Sequence, residues 1–278
     1  VHTTHSHSVL DSVRAKLGWN ARREPDTSMS REQTAGPTDL YTAALDTAKE
    51  AAGAAGRPVN QVYDRIEKSA SGVISDELVG AALSGSEQII TAIIDTAFPD
   101  HTIVSEGWTV EDGTGRYTWV IDPLDGIGNF THGNPSFTVA VALLDETRPV
   151  VGVVYSPVTD ELFYASAGEG AYRNDSPIET TAKRRLNESM LLSGYDPTGS
   201  FLNRFYRQAR GVRRLGSASL HLCYVAAGSA DAHWEYDTYP WDVAAGLCIL
   251  REAGGTATHA DGRTYELTIA DTNARSSL

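Results

Sequence analysis

Only two cysteines, Cys223 and Cys248, occur in 278 residues, too few for a disulfide framework. Both lie in apolar, helix-like stretches, so buried free thiols in a reducing compartment are expected. Lysine is almost as scarce: Lys16, Lys49, Lys68 and Lys183 are the whole complement, and the net charge is −13. That balance excludes nucleic acid or an anionic membrane as the main partner. A small anionic ligand would have to be drawn in locally. No apolar run reads as long enough to span a bilayer, and the N-terminal residues lack the charged-then-apolar pattern of a signal peptide. The cytoplasm is the expected compartment.

The most informative segment is Trp119-Val120-Ile121-Asp122-Pro123-Leu124-Asp125-Gly126-Ile127-Gly128-Asn129-Phe130. Its first three residues read as a buried strand, and Pro123 is expected to end that strand and force a turn at Asp122. Two acids three positions apart at a strand end can converge on one point, and carboxylate oxygens are preferred ligands of Mg²⁺. Gly126 and Gly128 allow bare N–H groups to approach an anion. Taken alone, the segment is equally compatible with aspartates that merely cap a following helix. Two further acidic stations share the pattern: Glu106 closes the apolar stub Thr102-Ile103-Val104-Ser105, and Asp242 opens an apolar stretch running to Gly254-Gly255.

The first 36 residues, with His2, His5 and His7, read as a weakly ordered arm, and residues 37–278 as one unit of two intimately packed α/β halves. From Thr38, the spacing of Tyr41, Ala44, Leu45, Ala48, Ala51 and Ala52 predicts an amphipathic helix. Ile89, Ile90, Ile93, Ile94 and Ala97 predict another from Ser86 to Ala97. Strands are expected at 137–144, 150–155 and 161–165, forming a meander packed on helices. A helix over 217–227, a short strand over 230–234 and a helix over 241–253 complete the pattern.

These motifs, in this order, resemble the inositol monophosphatase family, Mg²⁺-dependent and lithium-sensitive sugar-phosphate phosphatases. The family pattern is Asp-Pro-(Ile/Leu)-Asp-Gly-Thr-x-Asn-Phe, followed by Trp-Asp-x-Ala-Ala-Gly and Glu-Ala-Gly-Gly, and the resemblance runs from about Leu40 to about Asn273. It implies a layered α/β/α/β/α sandwich with the site between two sheets. It further implies two Mg²⁺ held by Glu106, Asp122, Asp125, Asp242 and the carbonyl of Leu124. Glu106 and Asp125 would be catalytic, and the N–H groups of Gly126 and Ile127 would seat the phosphate. Gly216, Ser217, Ala218, Glu235 and Asp242 would face a polyol or sugar. For Glu235 the alternative is a solvated acid on a turn, and His132 reads as structural. The implied activity is hydrolysis of inositol monophosphate or a related ester by direct in-line attack of water, in a homodimer. The alternative is a silent or regulatory sugar-phosphate-binding protein on the same fold.

The chain departs from the family in two places. Ile127 stands where the family has a threonine that orients the attacking water. In the family's Asp-Leu-Val-Thr-x-x-Asp element, which reads Glu77-Leu78-Val79-Gly80-Ala81-Ala82-Leu83 here, Leu83 replaces the second acid, with Glu87 trailing. Gly107 replaces the second glutamate of a pair, and Lys68 matches a basic position only loosely. These changes argue against a third ion.

Overall fold

A computed structural model describes residues 37–67, 75–106, 108–110 and 115–269. The expected arm, with His2, His5 and His7, lies outside them, as do Lys68 and Gly107.

Helix α1 spans Pro37–Glu67 and α2 spans Asp76–Ala97. Both are longer than their apolar spacing predicts. The extension of α1 runs through Pro58, which removes one helical N–H. Val59 and Tyr63 beyond it are buried against Phe130 and Phe137, so tertiary packing holds the last turns in place. α2 begins ten residues before Ser86, where the hydroxyl of Ser75 accepts the N–H of Leu78. Contrary to the sequence expectation, α2 is long and apolar enough to cross a membrane by length and composition. Its buried stripe, Val79, Ala82, Ser86, Ile90 and Ile94, belongs to the protein core.

The large sheet has eight strands in the order β2-β1-β3-β4-β5-β6-β7-β8. They are β1 (Thr102–Ser105), β2 (Trp108–Val110), β3 (Tyr117–Asp125), β4 (Thr138–Asp145), β5 (Arg148–Ser156), β6 (Glu161–Ser166), β7 (Ala171–Arg173) and β8 (Ser176–Ile178). From β3 to β8 it is an antiparallel meander, of which β4, β5 and β6 are the expected strands and the three-residue β7 and β8 are additions, while β1 joins β3 in parallel. Side chains alternate between faces along a strand, yet here both faces are apolar. Ile103, Trp119, Ile121, Val139, Val141 and Val153 pack under α1 and α2. Val104, Val120, Ala140, Ala142 and Val154 pack against α5 (Ala218–Ala226) and α6 (Pro240–Glu252). Helices on both sides explain why these strands read as unbroken apolar runs.

A parallel three-stranded sheet in the order β10-β9-β11 lies beyond α5 and α6, made of β9 (Met190–Ser193), β10 (Gly211–Arg213) and β11 (Ala232–Trp234). Only β11 is foreseen by the sequence, because strands of three or four residues are too short to display a period. On its outer side the ring of Phe201, from α4 (Ser200–Phe205), lies 5.9 Å from that of Trp234. The order is helix, sheet, helix, sheet, helix, as expected.

Helix α6 approaches β5 so closely that a Cβ on Gly152 would collide with the carbonyl oxygen of Ala245 and lie 2.8 Å from the Cβ of Cys248. Gly152→Ala is therefore expected to destabilise the fold by about 1–3 kcal/mol, seen as a lowered denaturant midpoint with an unchanged slope.

Candidate active site

The strand carrying the aspartates does not turn at Asp122. β3 continues through Pro123 to Asp125, because the register against β4 shifts: Asp122 pairs with Ala140, and Asp125 with Thr138. Three steps on one strand oppose two on the other, which is one extra residue, and a bulge of this kind accommodates a proline in a sheet. The bulge also decides direction. In a regular strand, residues three apart point to opposite faces. The extra residue returns Asp125 to the face of Asp122, the face that Ala140 and Ala142 present to α5 and α6. Ser86 of α2 donates to the carbonyl of Pro123 at 2.8 Å, and Leu124 N–H donates to Oδ1 of Asp122 at 3.0 Å, fixing the bulge from both sides.

Asp125 is held by α5. Its Oδ2 accepts from the Ser217 hydroxyl at 2.7 Å, the Ser219 N–H at 2.9 Å and the Ser219 hydroxyl at 2.6 Å. Thr138, opposite Asp125 on β4, lies 2.7 Å from the Ser219 hydroxyl. Ser217 also caps α5, accepting the N–H of Leu220. Sequence reasoning placed Ser217 beside the sugar and missed Ser219 and Thr138. The available signal was the serine two residues beyond Ser217, on a helix whose N-terminus points at the acid. Asp242 sits in the first turn of α6, where its Oδ2 accepts the N–H of Tyr239 at 2.7 Å.

The electrostatics of the cluster are one-sided. Burial pushes the carboxyl of Asp122 well above the ordinary range, followed by repulsion from Asp125, Asp242 and Glu106. Burial likewise raises Asp125, against the lowering effect of the serine hydrogen bonds. Asp242 is pushed up to about 8, by burial first and then by Asp125. Glu106, at the end of β1, has an exposed surface, yet desolvation leads in raising its carboxyl, followed by Asp125 and Glu87. None of the leading influences on these four acids is a cationic side chain. Asp122, Asp125 and Asp242 in the protein interior and the more exposed Glu106 repel one another, and such carboxylates are a donor set for a hard divalent cation. The residues present therefore fit Mg²⁺.

Those shifts carry a pH dependence. Asp242 titrates near its ordinary 3.8 when unfolded and at about 8 when folded without metal, so the folded chain keeps a proton that the unfolded chain has lost. The stability this contributes is complete below about pH 4 and lost as the pH rises through about 8. The metal-free protein is expected to melt at a lower temperature at about pH 8.5 than at about pH 6. Saturating Mg²⁺ should reverse the trend, because ligands bind metal deprotonated. Thermal melts at both pH values check this.

Beside the cluster, Gly126 adopts φ +95° and starts the short helix α3 (Ile127–Thr131). The first N–H groups of a helix have no partner within it, so those of Ile127 and Gly128 are free to meet an anion. Asn129 braces the turn, donating to the carbonyls of Ser136 at 2.6 Å and Leu215 at 2.5 Å. The latter bond brings the segment Gly216-Ser217-Ala218 over the turn. His132 closes α3 with Nδ1 2.8 Å from the carbonyl of Gly128, a structural contact as expected.

Glu235 is not a solvated acid. Its Oε1 accepts the N–H of Tyr195 at 3.1 Å, its Oε2 is buried, and it ranks among the charges that raise Asp125 and Asp242. The two departures also come together: Ile127 and Leu83 pack against the same apolar cluster of Val59, Tyr63, Val79, Ala82, Leu124, Phe130 and Phe137.

The family model described as the inositol monophosphatase family matches residues 37–277. The chain belongs to that family. With it goes membership of the phosphatase hydrolases. Among the relatives of this family member, the inositol-1-monophosphatase of Synechocystis sp. is 37% identical over 240 residues, 83% of either chain. The Nus factor SuhB of Pasteurella multocida is 38% identical over 234 residues, 81% of this chain and 88% of the relative. Of solved structures, the inositol monophosphatase from Anabaena (Nostoc) sp. superposes with a TM-score of 0.73 at 37% identity, covering 84% of this chain and 89% of that one.

Proposed function

We propose that this family member is a Mg²⁺-dependent phosphomonoesterase acting on inositol monophosphate or a related sugar or polyol phosphate. The observation that carries the reading is the cluster of Glu106, Asp122, Asp125 and Asp242, raised by burial and mutual repulsion with no cationic side chain among their leading influences. Asp122, Asp125, Asp242 and the carbonyl of Leu124 would hold the ions together with Glu106. Two bound Mg²⁺ would supply a nucleophilic water near neutral pH and charge stabilisation for the leaving alkoxide. The chain's own groups do the rest. The raised carboxyl of Glu106 is suited to take the proton of the attacking water. Backbone N–H groups of Gly126 and Ile127 orient the phosphate oxygens so that water attacks phosphorus in line with the leaving group. Gly216, Ser217 and Ala218 bound the polyol, and Glu235 accepts from its hydroxyls.

The reading extends to a two-fold homodimer, the commonest oligomer. It also places the protein in the cytoplasm, which the buried free thiols of Cys223 and Cys248 support. Phosphate release from inositol 1-phosphate, fructose 1,6-bisphosphate, histidinol phosphate and 3′-phosphoadenosine 5′-phosphate, with and without Mg²⁺, tests it. Turnover of none of them would overturn the reading.

A second reading, a silent or regulatory sugar-phosphate-binding protein, is favoured by Ile127, which offers no hydroxyl to the attacking water. Against it, Ile127 and Leu83 both pack against one apolar cluster, so each departure has a packing role in the fold. Ile127→Thr together with Leu83→Asp is expected to raise kcat by up to about 10²-fold, the worth of one orienting donor. Ile127→Thr alone should gain less, because its hydroxyl would be set against that apolar cluster. Steady-state kinetics of both variants check this.

A further inference from the structure

Buried polar atoms without a hydrogen-bond partner come together where β11 passes α5: Nδ1 of His221, both ring nitrogens of His233 and Oε2 of Glu235. An unsatisfied buried polar group is costly, so several in one place mark a position for something the protein's other side chains do not supply. The topology explains the convergence. His233 and Glu235 are two apart and share one face at the end of β11, and the His221 ring on α5 lies 4.7 Å from that of His233. One ligand atom from each of the three falls within 4.8 Å of the others.

We propose that His221, His233 and Glu235 form a second cation site, for Zn²⁺ or a similar borderline divalent ion, with a ligand chemistry unlike that of the carboxylate cluster. Imidazole nitrogens suit such ions, whereas Mg²⁺ prefers oxygen. Zinc bonds of about 2.1 Å in a tetrahedron set ligand atoms about 3.4 Å apart. Nε2 of His233 and Oε2 of Glu235 stand 3.3 Å apart, in a geometry that is not a hydrogen bond. The third ligand must close in from within 4.8 Å. Supporting contacts are present: Oε1 of Glu235 accepts the Tyr195 N–H, which orients the carboxylate and leaves Oε2 for the metal. Burial and His233 lower the pKa of His221 to about 3, so its ring is neutral, the form that ligates. Of the three residues, His233 lines a cavity of about 510 Å³.

One bond must give way. The Leu215 N–H donates to Nε2 of His221 at 3.1 Å, so the ring carries its proton on Nδ1. Metal on Nδ1 moves that proton to Nε2 and breaks the Leu215 bond, which makes the Leu215 amide a reporter. Occupation would also take Oε2 away from a polyol hydroxyl, a consequence that rests on the phosphatase reading. The site itself does not, and binding alone tests it.

Zn²⁺ is titrated calorimetrically into the metal-stripped full chain in saturating Mg²⁺, with Co²⁺ as an absorption probe and ¹⁵N spectra following Leu215. One equivalent should bind, the Leu215 amide should shift, and Co²⁺ should give the visible bands of nitrogen ligation. Binding should weaken at least about 100-fold in His233→Gln and His221→Asn and persist in Asp122→Asn. Melting curves of each variant verify that it is folded. No binding by the wild type, an unmoved Leu215 amide, or binding retained in both histidine variants would overturn the site.

Discussion

Asp125→Asn is expected to lower Mg²⁺-dependent phosphate release by at least about 10³-fold, the several kcal/mol that metal-centred charge stabilisation contributes. The substitution is nearly isosteric, and its carbonyl oxygen can still accept from Ser217 and Ser219, which converge on Oδ2 in the wild type. Only the charge is lost. Since burial and repulsion raise the carboxyls of Asp122, Asp125 and Asp242, removing one charge relieves the metal-free fold. The variant should therefore melt at or above the wild-type temperature without metal while losing the rise that Mg²⁺ produces. Kinetics alongside melts with and without Mg²⁺ separate a lost metal site from a lost fold. A variant that keeps its rate would place the chemistry elsewhere.

Gly126→Ala should be nearly as damaging by a different route. The residue sits at φ +95°, and a Cβ there would lie 2.9 Å from the Ser136 carbonyl oxygen and 3.3 Å from both the Gly216 carbonyl oxygen and the Phe137 Cα. All of these neighbours are backbone, so none can step aside by a change of rotamer. Left-handed backbone costs a non-glycine residue roughly 1–2 kcal/mol before any collision. The collision should push the start of α3 outward and carry the N–H groups of Gly126 and Ile127 with it. A displacement near 1 Å in a positioning element can cost about 10²-fold in rate. The expected signature is lowered stability, together with a raised KM for the phosphate ester and a lowered kcat. A variant unchanged in both would show that the turn does not seat the phosphate.

The layered architecture was legible in the sequence because its long elements carry strong periods. The isoleucines of α2 and the runs of β4 and β5 announce helix and strand without help from tertiary contacts. The small sheet was legible only at β11, since β9 and β10 are held by pairing with one another and with β11, which leaves no period in so few residues. Pro123 misled for a physical reason: proline ends a regular strand, but a bulge admits it, and whether a bulge forms depends on the register with β4. The acids Glu106, Asp122, Asp125, Asp242 and Glu235 were legible as a set through motif order. Their support from Ser219 and Thr138 was not, because it depends on α5 meeting β4 across more than 80 residues of chain. Nor was the packing of Ile127 and Leu83, two separate departures, against one apolar cluster.

The most direct measurement is phosphate release from inositol 1-phosphate by metal-stripped protein as Mg²⁺ is added, with substrate binding followed calorimetrically in the same samples. A metal-dependent phosphomonoesterase releases no phosphate before Mg²⁺ and then turns over at a rate that rises to saturation. Release that is indifferent to Mg²⁺, or substrate binding with no release at any Mg²⁺ concentration, would contradict it.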